Sequence, residues 1–187
     1  YGVEIDETLA TETVRNYRRA NKRIVSLWHT MNDGVMDVVG RTTKCKTVGQ
    51  LLINLEGDWL TVRLPSGRKL TYYKPLNENH ESSGRIKTTF MGVGFNRKFM
   101  RIDTYGGKLC ENITQAVARD VLGANLSVIE AAGYEIVATV HDEVVTLCPD
   151  EEKYNAPALS ALLSTQPSWA EGLPLDAKGF EGMRYSK

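Results

Sequence analysis

The sequence has no apolar run near the roughly 18 residues a membrane-spanning helix needs, and no secretory signal at its start. Neither a membrane partner nor export is expected. Cysteine is scarce: Cys45, Cys110 and Cys148 are widely spaced, odd in number and without CxxC spacing. That excludes a disulfide framework and points to reduced thiols inside a cell. Histidine is as scarce, and His29, His80 and His141 lie far apart, which argues against zinc. Internal repeats and low-complexity tracts are missing. Net charge is absent too, with 23 Lys plus Arg against 23 Asp plus Glu. The chain opens at "YGVEIDE" without an initiating Met, and reads as a mature end or a piece of a longer protein.

What is present is an ordinary globular composition, 42% hydrophobic and 25% charged over 187 residues, enough for one domain with a core. The charge is unevenly placed. Residues 83–108 carry Arg85, Lys87, Arg97, Lys98, Arg101 and Lys108 against the single acid Asp103, whereas 130–152 is acidic. Such an asymmetry suits a polyanion on one side and a cation on the other.

Hydrophobic spacing of three and four predicts helix over 6–39, capped by Asp6 and interrupted near Asn21-Lys22. Residues 43–74 are β-branched and aromatic, with "EGD" and "PSGR" as turns, and predict two or three antiparallel strands. A long loop or ribbon is expected over 76–100. A second helix is expected from about Lys108 to Ala132, with Gly133 as its stop. Two apolar strands, an acidic "PDEE" turn, a short helix at 156–164 and a tail follow. The fold class is α+β.

At about 100° per residue, Cys110, Ile113, Val117, Val121, Ala124 and Val128 share one stripe of the second helix. Lys108, Asn112, Gln115 and Arg119 share the opposite one. A solvated helix face usually mixes Glu with Lys; this row holds only hydrogen-bond donors of the kind that meet phosphate, sugar and minor-groove acceptors. A plain solvated surface is the competing reading.

"TVHDEVV" raises a different question. Aspartate is depleted in strands, and an unpaired buried carboxylate is costly. His141-Asp142-Glu143 therefore reads as the connection between two strands. Asp-Glu is poor chemistry for a tight hairpin, where Asn-Gly or Asp-Gly is preferred. A rigid hairpin presenting carboxylates suits Mg2+, which takes one or two carboxylates plus substrate phosphates.

A helix with "YGGKLCENITQAVARD" followed by "VHDEVV" resembles the family A DNA polymerases, in particular their phage-type branch. "NKRIVSLW" resembles their fingers helix, "LPSGRKLTYY" a ribbon between fingers and palm, and "GLPLDAKGFEGMRYSK" the carboxyl end of the phage branch. The resemblance implies fingers-derived helices over 1–42, a β-ribbon or loop connection over 43–103, and a palm portion over 104–187 with an antiparallel hairpin packed on a long helix. It implies Asp142 as the catalytic, metal-binding aspartate, Glu143 as a supporting carboxylate and His141 as a residue near the primer terminus. Gln115 matches a minor-groove glutamine, and Lys108, Asn112 and Arg119 accompany it as DNA contacts. Mg2+, primer–template DNA and a dNTP are the implied ligands, and a bacterial or phage-infected cytoplasm the implied setting.

The departures are as informative. Two-metal phosphoryl transfer needs a second carboxylate from another strand, and the family's motif for it is not found; Glu56 and Asp58 do not have its pattern. The nucleotide-holding helix, thumb and exonuclease sequences are missing as well. The expectation is the C-terminal part of a polymerase that works with a missing N-terminal portion, from the same gene or a split subunit. The alternatives are a non-catalytic nucleic-acid-binding fragment or subunit, or another Mg2+-dependent enzyme such as a nuclease.

Overall fold

The computed structural model describes residues 6–79 and 84–185. It is an α+β fold that divides into two compact units, Tyr1–Leu64 with Lys69–Ile113, and Pro65–Arg68 with Thr114–Lys187.

The first unit begins with helices α1 (Glu7–Ala20) and α2 (Lys22–Val39). Asp6 caps α1 by accepting from the Leu9 amide at 2.6 Å, and the helix breaks at Asn21, as the spacing predicts. Six strands follow as an antiparallel meander: β1 (Cys45–Val48), β2 (Leu51–Glu56), β3 (Trp59–Arg63), β4 (Lys69–Asn79), β5 (Ile86–Val93) and β6 (Phe99–Thr104). Gly49 and Gly57, both at positive φ, turn the first two hairpins.

Alternation sorts the two sheet faces. Ile53, Leu60, Val62 and Tyr72 join Met31, Val35 and Val38 of α2 in the core. The other face is polar, crossed by ion pairs Lys69–Glu56, Arg101–Glu78 and Lys87–Asp103 and by the Trp59–Tyr73 ring pair. Helix α2 packs against the core face.

Residues 76–100 form the ribbon rather than the loop of the two expected. They complete β4 and supply β5 and the start of β6, and residues 80–83 lie outside the described residues. Pro75 cannot donate to a ladder, yet it lies inside β4. The structure keeps the strand going by shifting register between Tyr73 and Leu76. Lys74 there takes φ 46° and donates its amide to the Asp58 carbonyl at 2.7 Å, outside the ladder.

Helix α3 (Gly106–Ala131) starts in the first unit, where Leu109, Cys110 and Ile113 are buried, and runs on in the second. Gly133 stops it at φ 94°, and its amide donates to the Glu130 carbonyl at 2.9 Å, as expected of a left-handed C-terminal residue. The predicted apolar stripe holds only in part. Ala124 and Val128 are exposed, while Leu122, Asn125 and Ile129 are the buried residues of the later turns. Asn125 was not expected inside; its amide donates to the Leu163 carbonyl at 2.6 Å, which removes the desolvation penalty.

The second unit adds β7 (Glu135–Val140), β8 (Glu143–Leu147) and α4 (Ala156–Leu163), capped by Asn155, which accepts from the Ala158 amide at 2.8 Å. Tyr134 and Tyr154 meet edge to face at 5.1 Å beneath the hairpin's start. All three cysteines lack a disulfide bridge. No described helix is long and apolar enough to cross a membrane.

The tightest constraint in the first unit is at Gly106, where a Cβ would collide with the Trp28 backbone carbonyl. Backbone cannot swing aside as a flexible side chain would. Gly106→Ala is expected to destabilise the protein by about 1–3 kcal/mol or more, the scale of overpacking. A Gly123→Ala control meets only an Arg119 guanidinium at 3.7 Å and is expected to be neutral or slightly stabilising. Chemical denaturation of both variants checks this.

Candidate functional site

The hairpin of β7 and β8 closes with Val140 paired to Glu143, so its loop has two residues, His141 and Asp142. This corrects the reading of His141-Asp142-Glu143 as the connection: Glu143 is the first residue of β8. His141 has φ 56°, the left-handed sign that primed hairpin turns demand at their first central position. Glycine usually meets that demand, but histidine visits this region more often than most residues. The turn is therefore His-Asp, and the objection to Asp-Glu as turn chemistry does not arise. Strand β7 also shifts register between Ile136 and Ala138, a bulge that bends the hairpin near its middle.

All three polar residues are exposed, and the two carboxylates have different fates. The Tyr185 hydroxyl donates to Glu143 Oε2 at 2.9 Å, bringing the tail back to the hairpin. That bond, then desolvation and the nearby negative charge, hold the Tyr185 pKa above its ordinary value. Asp142 has no side-chain partner among the described residues. One carboxylate of the pair is engaged and the other is open.

Carboxylate oxygen is the right donor chemistry for Mg2+, and a hairpin turn is a rigid mount for it. The ligand set is incomplete, however: among the described residues no three His, Cys, Asp or Glu side chains converge as metal ligands. Asp142 would fill one or two positions. Substrate phosphates and a further carboxylate would have to fill the rest.

On α3, Gln115 and Arg119 are exposed and Lys108 is half-buried, and none of them has a side-chain partner among the described residues. Asn112 differs. Its amide donates to the Tyr72 hydroxyl at 3.1 Å, so one of its donors is already committed to the sheet. Burial holds the Tyr72 pKa up, while the Asn112 bond works against that shift.

Sequence reasoning missed Asp120. Its carboxylate accepts from Ser66 Oγ at 2.5 Å and from Arg68 Nε at 2.5 Å, and Arg68 also donates to the Ala116 carbonyl at 2.8 Å. The signal was available. At about 100° per residue Asp120 lies about 120° round α3 from Lys108, beside Ile113 on the apolar side. An acid there calls for a cation. Tyr185 left no comparable trace, since nothing in the tail's pattern specifies a partner 42 positions back.

The Tyr185–Glu143 bond predicts a pH dependence of definite sign. With its folded pKa raised, Tyr185 contributes to tail docking below the ordinary value of 10.0 and loses that contribution as pH rises through the folded value. Proteolysis of the tail is expected to accelerate on that rise in the wild type. Tyr185→Phe is expected to show roughly threefold faster cleavage at neutral pH, the scale of a weak exposed contact, and no such alkaline step.

Comparison with known proteins gives one finding and two blanks. The chain is 40% identical over 176 residues to a DNA polymerase of Bacillus phage SP02. The alignment covers 94% of this chain but 27% of that polymerase, so the chain spans about a quarter of its relative's length. No family model matches the sequence. No solved structure matches it.

Proposed function

We propose that this chain is the C-terminal, fingers-to-palm part of a family A, phage-type DNA-directed DNA polymerase. The observation that carries the reading is the 40% identity to a phage DNA polymerase along 94% of the chain. The hairpin geometry is compatible with it, since Asp142 is open at a rigid turn. In this reading residues 1–42 are fingers helices, 43–103 the connection and 104–187 the palm portion. Primer–template DNA and a dNTP are the ligands, and the remaining polymerase sequence, in the same gene or a separate subunit, is the partner. Its setting is the bacterial or phage-infected cytoplasm.

The reaction is attack of a primer 3′-hydroxyl on the α-phosphate of the nucleotide, with pyrophosphate leaving. Mg2+ held by Asp142, the nucleotide phosphates and a carboxylate from elsewhere in the enzyme would neutralise the charge developing on the transferring group. Asp142 is the catalytic aspartate of this chain. Glu143, held by Tyr185, steadies the hairpin beside it, and His141 sits in the turn near the primer end. Gln115, Lys108 and Arg119 donate to phosphate, sugar and minor-groove acceptors, which report pairing geometry more than sequence. Asn112, tied to Tyr72, has less freedom to reach DNA and helps seat the helix.

Asp142→Ala is expected to slow single-turnover incorporation by the assembled polymerase about a hundredfold or more, the loss of several kcal/mol of transition-state stabilisation. Primer–template affinity is expected to stay within a few-fold. Near-normal incorporation in Mg2+ would sink the assignment, and a loss of affinity alone would favour a binding subunit without chemistry.

The helix face has its own test. Lys108→Ala with Gln115→Ala is expected to weaken duplex binding, flatten its salt dependence by about one unit of slope, and slow extension past a mismatch. Unchanged affinity, slope and mismatch extension would leave Lys108 and Gln115 as plain surface.

A further inference from the structure

The basic stretch that stood out in the sequence is resolved by the structure into two parts. Along the strands its cations are neutralised: Lys87 pairs with Asp103 at 3.5 Å, and Arg101 Nε lies 3.3 Å from Glu78 Oε1. At the tip of the β5–β6 hairpin they are not. Arg97 and Lys98 are exposed and have no side-chain partner among the described residues. No acid occurs between Gly84 and Ile102 in the sequence.

The same tip exposes its large apolar side chains. Phe95 is fully exposed, Val93 67% and Phe99 61%, on a hairpin where such groups would ordinarily be covered. The tip is nonetheless well built. The Gly94 amide donates to the Lys98 carbonyl at 2.9 Å, the Arg97 amide to the Gly94 carbonyl at 2.9 Å, and the Lys98 amide to Asn96 Oδ1 at 3.0 Å. Arg97 takes φ 58° to close the turn. Phe95 is thus presented by a turn whose backbone groups are satisfied, at little cost in ordering on binding.

We propose that the β5–β6 hairpin tip, Val93–Met100, is a docking element for single-stranded nucleic acid, with bases stacking on Phe95 and Phe99 and phosphates meeting Arg97 and Lys98. Aromatic faces beside unpaired cations are the two components of sequence-tolerant single-strand binding. A duplex hides its base faces in its own stack, so single strands fit this tip better. A protein partner fits worse: eight residues fall far short of the roughly 20–30 a side in a stable protein interface. The proposal does not lean on the Asp142 assignment, since Phe95 and Asp142 belong to different units and either can fail without the other.

The test is binding of a fluorescein-labelled short oligo(dT) to the full chain, read by fluorescence anisotropy across a salt series. Phe95→Ala/Phe99→Ala is expected to weaken binding about tenfold or more, with little change for a blunt duplex. Arg97→Ala/Lys98→Ala is expected to reduce the salt slope by about 1.4, two contacts at about 0.7 each on single strands. All four positions are exposed, so thermal denaturation is expected to be unchanged. A Phe95→Trp variant supplies a reading that needs no truncation: oligo(dT) is expected to quench its added fluorescence relative to the wild type. No oligo(dT) binding by the wild type, equal losses on duplex and single strand, or no quenching at Trp each overturns the proposal. So does tip-dependent binding to phosphatidylserine vesicles in place of oligo(dT), which would make this a membrane contact.

Discussion

The second unit depends on how Asp120 is satisfied. A carboxylate on the inner side of a helix costs several kcal/mol to desolvate unless its oxygens are met by donors. Here both are met, one by the Ser66 hydroxyl and one by the Arg68 guanidinium. Arg68 remains half-exposed and so retains part of its hydration, which lowers the cost of the pair. Its second contact, to the Ala116 carbonyl, fixes the guanidinium plane along the helix. The turn Pro65–Arg68 therefore belongs with a helix more than fifty positions downstream, although the strands on either side of it belong to the sheet.

Local order of this kind is what a carboxylate at a hairpin turn requires. Asp142 carries no partner, so its position is set by backbone: a two-residue loop, a left-handed His141 and the Val140–Glu143 pairing. Glu143 serves the same end differently, through the Tyr185 hydroxyl. Adjacent carboxylates repel, and engaging one of them as a hydrogen-bond acceptor separates their tasks. The arrangement leaves one oxygen pair open toward solvent.

Much of the fold was legible in the sequence because it follows from local chemistry. Asp6 as a cap, the break at Asn21, the "EGD" and "PSGR" turns and Gly133 as a stop each concern a few neighbouring residues. What stayed illegible depends on distant partners. A ribbon could not be told from a loop over 76–100 because nothing local shows that the strand passes Pro75 by turning the Lys74 amide to the Asp58 carbonyl. The apolar stripe of α3 misled beyond Val121 because the buried side of the helix turns to Leu122, Asn125 and Ile129 in its later turns, and Asn125 is admitted there by a partner distant in sequence, the Leu163 carbonyl. At the site, the residue types of the hairpin and of the donor row were readable, whereas the turn register, the Asn112–Tyr72 bond and the return of Tyr185 were not. The polymerase reading came from motif likeness, and its support is a relative of which the aligned region is 27%.

The tail has a practical side. Glu181 accepts from the Ala156 amide at 2.8 Å at the start of α4, and Tyr185 reaches Glu143 at the hairpin. A polypeptide cut short of Tyr185 would therefore leave Glu143 without the hydroxyl that engages it, one residue from Asp142. Nicking of the tail during purification would then alter the surroundings of the candidate turn before any assay of it began, and the intactness of the tail is a property to verify by mass first.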